Sequence, residues 1–185
     1  MVDIQTVSIM LASASVIAGV VYYALQIRHQ TRIRKTDLVI RLYSKVQSNE
    51  YLDAMRAVMN LQFKDYEEFV KKYGPSYSQT NPEINKSLAK VCGFFEMVGT
   101  LLYRKHIDLG LVYDVFGISM IKRVYEKTKP LAVGTRKETN DPVQGAGFDY
   151  LYNEIMRKEP QLRKTWAKAS LQPISDSKSS NQSSR

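Results

Sequence analysis

Few side chains of this 185-residue chain have the types and spacing that catalysis requires. Glu96 lies near Cys92 and Tyr103, and an ionisable group at the edge of a core can have a shifted pKa and act as an acid or base. No second carboxylate lies at a fixed spacing from Glu96, so a solvated carboxylate on a helix flank is the simpler interpretation. The two histidines, His29 and His106, form neither a catalytic triad nor a metal site. We therefore predict no catalytic residue, no metal site and no cofactor.

The clearest element is an apolar stretch at residues 7–27, VSIMLASASVIAGVVYYALQI, which holds no charged residue. A helix of this length, rising about 1.5 Å per residue, crosses the ~30 Å hydrocarbon core of a bilayer. A cleavable signal peptide is one alternative, but signal peptides carry their positive charge before the apolar core and this chain carries it afterwards. A buried core helix is the other alternative, and such helices seldom run this long without a charge. We predict that residues 1–27 are a short N-terminus and one transmembrane helix.

The charges on the two sides of this span predict its orientation. Asp3 is the only charge before the span, whereas four basic residues follow it, and such residues stay on the cytoplasmic side. We expect a single-pass protein of the cell membrane, with the N-terminus outside and a cytoplasmic C-terminal domain. The single cysteine fits a reducing compartment. Two tyrosines at the cytoplasmic end fit an interfacial aromatic belt, although an ordinary helix explains them equally well. The residues predicted to lie at the membrane interface are Tyr22, Tyr23, Arg28, Arg32, Arg34 and Lys35.

Small side chains recur within the span at steps of four, three and four. They are Ser8, Ala12, Ser15 and Gly19, which share one face of a helix. Such a face lets a second helix approach closely, so these residues are candidates for helix pairing with another copy of the chain or another membrane subunit. Small residues are also common in membrane helices that do not pair.

The net charge of +9 and the pI of about 9.5 suggest an anionic partner. The charge is segregated, because residues 28–35 hold four basic residues and residues 157–168 hold five with one glutamate. Both segments can lie against anionic lipid, where each basic residue contributes about 1 kcal/mol. The lipid bilayer is therefore the expected partner, and nucleic acid, supported only by residues 157–168 and Trp166, is the weaker interpretation.

Apolar residues beyond the span recur at steps of three and four, which predicts an all-α cytoplasmic domain at residues 28–170. The first helix should continue out of the membrane, because no Gly or Pro occurs between Gly19 and Gly74. We expect a bundle of about five helices. Helix starts are predicted at Ser48, Asp65, Asn81 and Asp108. The clearest stripe predicts a central helix and consists of Ile84, Leu88, Val91, Phe95, Val98 and Leu102.

Helix-breaking residues predict where this regularity ends. Residues 129–147 contain two prolines and three glycines and are predicted to form a long loop, but no preceding strand or GK[ST] element makes it a phosphate loop. Pro160 should interrupt a last helix that begins near Phe148 or Asp149. Residues 171–185 are almost free of apolar side chains and are predicted to be a disordered tail.

Three segments together carry a family resemblance: YYALQIRHQTRIRKTDLVIRLY, FKDYEEFVKKYG and FFEMVGTLLYRKHIDLGLVYDVFG. In their arrangement, residues 5–125 resemble an uncharacterised family of small bacterial and archaeal single-pass membrane proteins, known only as a domain of unknown function. The resemblance implies a cytoplasmic helical domain on a membrane anchor. It carries no activity and no functional residues.

The sequence favours a membrane-anchored scaffold or accessory subunit that holds a partner at the membrane. The supporting features are apolar helical faces and basic segments beside a span. A nucleic-acid-binding membrane protein and an enzyme of unrecognised class are the alternatives.

Overall fold

The computed structural model describes residues 3–75 and 80–171 of the chain. These ranges contain seven α-helices and no strand, which confirms the predicted all-α fold. The helices are α1 (Ile4–Val46), α2 (Asn49–Asn60), α3 (Tyr66–Tyr73), α4 (Pro82–Tyr103), α5 (Leu109–Phe116), α6 (Ile118–Thr139) and α7 (Ala146–Leu171).

Helix α1 is continuous over 43 residues, or about 65 Å, as the absence of Gly and Pro after Gly19 predicts. Its described side chains are exposed as far as Arg34, and the helix then enters the domain, where Val39, Leu42 and Val46 are buried. Among the described residues, this is the one helix long and apolar enough to cross a membrane. No residue of its most apolar stretch is buried inside the domain. The apolar part of α1 thus projects from the domain rather than forming its core.

Two of the predicted caps are present and two are not. The Ser48 side chain accepts from Tyr51 N at 3.3 Å, and Asp65 accepts from Glu68 N at 2.9 Å, which satisfies helix-start N–H groups. Asn81 precedes Pro82, but its side-chain amide donates to Tyr73 O at 2.6 Å instead of capping α4. Asp108 precedes α5 but makes no side-chain cap there. The helices begin where predicted, although these last two side chains serve tertiary contacts.

Helix α4 lies at the centre of the domain, as its apolar stripe predicts. Val91, Phe95 and Val98 are completely buried, and helices α2 and α7 pack on α4. A second, smaller apolar cluster surrounds Phe69 of α3 and Leu131 of α6. The packing of α1, α2 and α4 into one core fixes the direction in which α1 leaves the domain.

The predicted loop at residues 129–147 is wrong. Helix α6 passes through Pro130 and continues to Thr139, because buried Leu131 and Thr135 hold the segment after the proline against the domain. The connection to α7 is only residues 140–145. The helix predicted to begin at Asp108 is short, because the chain is divided into α5 and α6 at Gly117, whose φ of +68° favours glycine.

The predicted interruption at Pro160 is also wrong, because α7 continues through it to Leu171. The division at Gly117 raises the number of helices beyond the five expected in the domain. The predicted disordered tail lies outside the described residues, apart from Leu171, which ends α7.

Candidate functional site

An open groove separates α4 from α6, and its volume is about 290 Å³. Its walls are mostly apolar, and small residues such as Ala89, Gly93 and Ala132 leave the space between the two helices. A Cβ atom added to Gly93 would meet no other atom within 4 Å. The lining residues are Asn85, Leu88, Ala89, Cys92, Gly93, Glu96, Tyr125, Thr128, Lys129, Leu131, Ala132, Thr135, Gln144, Gly145, Phe148 and Asp149.

The Glu96 carboxylate forms one end of this groove and caps α7. Its Oε1 accepts from Gly147 N at 2.9 Å and its Oε2 from Phe148 N at 2.8 Å. A carboxylate at a helix N-terminus satisfies free N–H groups and interacts favourably with the helix dipole. The interpretation of Glu96 as a solvated flank is therefore wrong, since the side chain is half-buried and holds α7 on α4. Both of its oxygens have a structural role.

Asp149 joins α6 to α7 at the same end of the groove. Its Oδ1 accepts from the Tyr125 hydroxyl at 2.9 Å, and its Oδ2 accepts from an Arg136 amino group at 2.6 Å. Arg136 Nε also donates to Gln144 O at 2.6 Å, which fixes the connection between the two helices. Burial, followed by the hydrogen bond with Asp149, raises the pKa of Tyr125 to about 12, so this hydroxyl remains a donor at neutral pH.

Two glycines allow α4 and α7 to meet backbone to backbone. A Cβ on Gly99 would overlap the carbonyl of Gly147, and a Cβ on Gly147 would overlap the Glu96 backbone. Gly145, with a φ of +77°, makes the turn into α7. Sequence reasoning missed these contacts, although an isolated glycine inside a strong helical pattern, such as Gly99, is a signal of close packing.

Cys92 lies in the wall of the groove, facing α6. Burial raises the pKa of its thiol to about 11, and a hydrogen bond with Thr128 only partly opposes this effect. The thiol is therefore protonated at neutral pH, whereas a nucleophilic or metal-binding cysteine is a thiolate. Within residues 3–75 and 80–171, no three His, Cys, Asp or Glu side chains are grouped to hold a metal ion.

The residues predicted to lie at the membrane interface belong to α1, away from the groove. Tyr22, Tyr23, Arg28, Arg32 and Arg34 are all exposed on its projecting part. Lys35 differs, because its Nζ lies 2.9 Å from Asp108 Oδ1, which joins α1 to the start of α5.

The helix-pairing candidates Ser8, Ala12, Ser15 and Gly19 are also exposed on α1. The two serine hydroxyls donate to Ile4 O at 3.0 Å and Leu11 O at 2.9 Å in their own helix. Their polar atoms are therefore satisfied, and the face they form presents small, effectively apolar surface.

The basic segment at residues 157–168 is partly neutralised within α7. Arg157 pairs with Glu154 at 2.6 Å, and Arg163 pairs with Glu159 at 2.7 Å. The Trp166 indole N–H donates to Asp114 on α5 at 2.7 Å. These contacts use three of the side chains on which a nucleic-acid interpretation depends.

A family model described as a domain of unknown function, DUF4760, matches residues 13–155. The chain belongs to the DUF4760 family. This confirms the resemblance to an uncharacterised family, while a bacterial or archaeal origin stays a prediction. All groove residues lie inside the DUF4760 match, which also includes most of α1. Neither the curated proteins nor the solved structures contain a match to the chain.

Proposed function

We propose that this protein is a single-pass scaffold or accessory subunit of the cell membrane, and that it holds a partner protein at the cytoplasmic face. Helix α1 crosses the bilayer in this proposal, with Met1 outside and the domain inside. The basic residues that follow the span and the single Asp3 before it support this orientation.

The observation that carries the proposal is the continuity of α1. The same helix is exposed and apolar in its first half and buried at Val39, Leu42 and Val46 in its second half. Only residues 28–34, a rise of about 10 Å, separate the predicted span from the domain. A continuous helix of this kind presents the domain at a fixed height and orientation, which is the requirement for a scaffold.

The groove between α4 and α6 is the surface we assign to the partner. Its volume of about 290 Å³ lies just below the ~300–1,000 Å³ of pockets that enclose small molecules. An open, mostly apolar groove between two helices instead suits the apolar face of a helix from another subunit. Lys129 is exposed at the rim and its Nζ lies 5.8 Å from the centre of the Tyr125 ring, where it can pair with an acidic residue of that helix.

Site-specific photo-crosslinking of the full chain in native membranes tests this assignment. A photoreactive residue at Lys129, on the groove rim, should give a reproducible adduct with one membrane subunit, and a photoreactive residue at Arg123, on the opposite face of α6, should not. Ala89→Trp fills the groove and should abolish the Lys129 adduct, whereas Arg123→Trp should leave it unchanged. Equal adducts from both positions, or an adduct that Ala89→Trp does not affect, would overturn the proposal.

A tag after Arg185 tests the orientation in the same strain. It should be protected in intact cells and accessible after permeabilisation. Accessibility from outside would mean that α1 has the opposite orientation.

A further inference from the structure

The part of α1 that follows the predicted span buries only one of its faces. Val39 and Leu42 enter the core, but Ile33 and Ile40 remain 54% and 56% exposed. They are seven residues apart, which places both on the same side of the helix, and this side differs from the buried one. One exposed isoleucine is unremarkable on a protein surface, but a repeat every seven residues is the spacing of a coiled-coil seam.

This spacing extends without interruption into the predicted span. The positions related to Ile33 and Ile40 by alternating steps of four and three run from Ser8 to Tyr43. The series ends at Tyr43, because its ring contacts Phe116 of the same chain. All of them are exposed except Thr36, which is half-buried. The a positions are Ala12, Gly19, Gln26, Ile33 and Ile40, and the d positions are Ser8, Ser15, Tyr22, His29, Thr36 and Tyr43. We call these eleven residues the α1 seam.

Gln26 occupies an a position of the α1 seam near the cytoplasmic end of the predicted span, beyond Tyr22 and Tyr23. Its amide makes no hydrogen bond within the described part of the chain. An amide at an a position fixes the register of a helix pair when it bonds to the same amide of the second helix. The Thr36 hydroxyl, by contrast, already donates to Arg32 O at 3.2 Å.

We propose that two copies of the chain form a parallel dimer along the α1 seam. Both copies have the same orientation in a membrane, so their helices are parallel and in register, and Gln26 meets the Gln26 of the second copy. Residues beside the seam have complementary charges, because Arg32 is at a g position and Asp37 at the e position five residues later. This is the spacing at which g and e′ residues pair between parallel helices. Asp37 Oδ2 accepts from Arg41 of its own helix at 2.8 Å, which leaves Oδ1 for the second copy.

Disulfide crosslinking in native membranes tests the seam directly. The full chain has one cysteine, so Cys92→Ala provides a background without thiols. Ile33→Cys and Ile40→Cys should form disulfide-linked dimers on mild oxidation, and the neighbouring exposed positions Arg34→Cys and Arg41→Cys should form roughly tenfold less, since one residue turns a side chain by ~100°. Equal crosslinking at seam and control positions, or none at the seam, would overturn the dimer.

A charge swap tests the parallel register independently. Arg32→Asp and Asp37→Arg should each raise the dimer Kd of the full chain in detergent by roughly three- to tenfold, because each places like charges beside the seam. The double variant should restore the original Kd. Failure of the double variant to do so would exclude the g–e′ pairing on which the register rests. Neither measurement involves the groove, so failure of the dimer and failure of the partner proposal are distinguishable.

Discussion

Helix α4 contacts its two main neighbours, α2 and α7, by different physical means. Towards α2 it presents aromatic and aliphatic side chains, with Tyr51 and Phe94 packed edge to face at a centroid distance of 5.3 Å. Towards α7 it presents Gly99 and the Glu96 carboxylate, which meet the first turn of α7 directly. The first contact depends on apolar volume. The second also contains apolar packing, such as Phe95 on Phe148, but it depends in addition on the absence of a side chain at Gly99 and on two hydrogen bonds.

The difference predicts different tolerance to substitution. Apolar cores accept changes that conserve volume, because neighbouring side chains adjust. A backbone-to-backbone contact has no side chain that can adjust, and a capping carboxylate cannot be replaced by apolar volume. The α7 contact should therefore be the more sensitive one, although it also contains apolar packing such as the stacked rings of Phe95 and Phe148, whose centroids lie 4.9 Å apart.

The largest effect is expected at Gly99. Gly99→Ala places a methyl group on the Gly147 carbonyl and should lower the free energy of unfolding by about 3 kcal/mol or more. Gly93→Ala, six residues earlier in the same helix, meets open space and should raise it by up to ~1 kcal/mol through helix propensity. Thermal and urea unfolding of the full chain in detergent, followed by circular dichroism, compares the two. Similar stabilities would mean that α4 and α7 do not approach as described.

A smaller loss is expected for Glu96→Gln. The amide keeps one acceptor but turns an NH₂ group towards the second N–H of α7, which should cost about 2 kcal/mol. Glu126→Gln is the matched control, because Glu126 is exposed and lies 3.9 Å from Lys122, and it should change stability by less than ~0.5 kcal/mol. An equal change in the free energy of unfolding for the two variants would show that Glu96 does not cap α7.

The smallest effects on stability are expected at two tyrosines on either side of α4, Tyr125 and Tyr51. The Tyr125 hydroxyl donates to Asp149, so Tyr125→Phe should cost about 1 kcal/mol. The Tyr51 hydroxyl is buried and has no hydrogen-bond partner in the described part of the chain, so Tyr51→Phe should be neutral or stabilising by up to ~1 kcal/mol. A destabilising Tyr51→Phe would reveal a hydrogen bond on the α2 side of the helix.

The pH dependence of stability provides a second test of Tyr125 and Tyr51. Burial raises the pKa of both tyrosines, for Tyr125 from 10.0 to about 12. A raised pKa in the folded state favours the protonated form, so the stabilisation is complete below pH 10 and is lost as the pH rises towards 12. The variant with both tyrosines replaced by phenylalanine should lose less stability over this range in urea titrations.

The α2 side of α4 could be predicted from sequence, and the α7 side could not. Apolar periodicity and helix-start residues such as Ser48 and Asp65 are local signals, and they identify where α2, α3 and α4 begin. The contact between Glu96 and Gly147 joins residues 51 positions apart and has no periodic signature. Glu96 could be identified as unusual, but its partner could not be identified.

The error at residues 129–147 has a similar cause. Pro130 and Gly134 predict a break in the helix, but both lie inside α6, and the Tyr66 ring packs where a side chain of residue 134 would be. Buried Leu131 and Thr135 keep the segment helical, and their contribution depends on tertiary packing. Tertiary contacts of this kind override propensity and are not readable from the segment alone.

The continuity of α1 has a mechanical consequence. A transmembrane helix longer than the local hydrocarbon thickness responds to a thinner bilayer by tilting. Because the proposed span and the helix that enters the core at Val39 are one rod, the domain must lean by the same angle as the span. Lipid composition would then set the inclination of the groove towards the membrane surface, and the protein would convert bilayer thickness into the direction in which its partner is held.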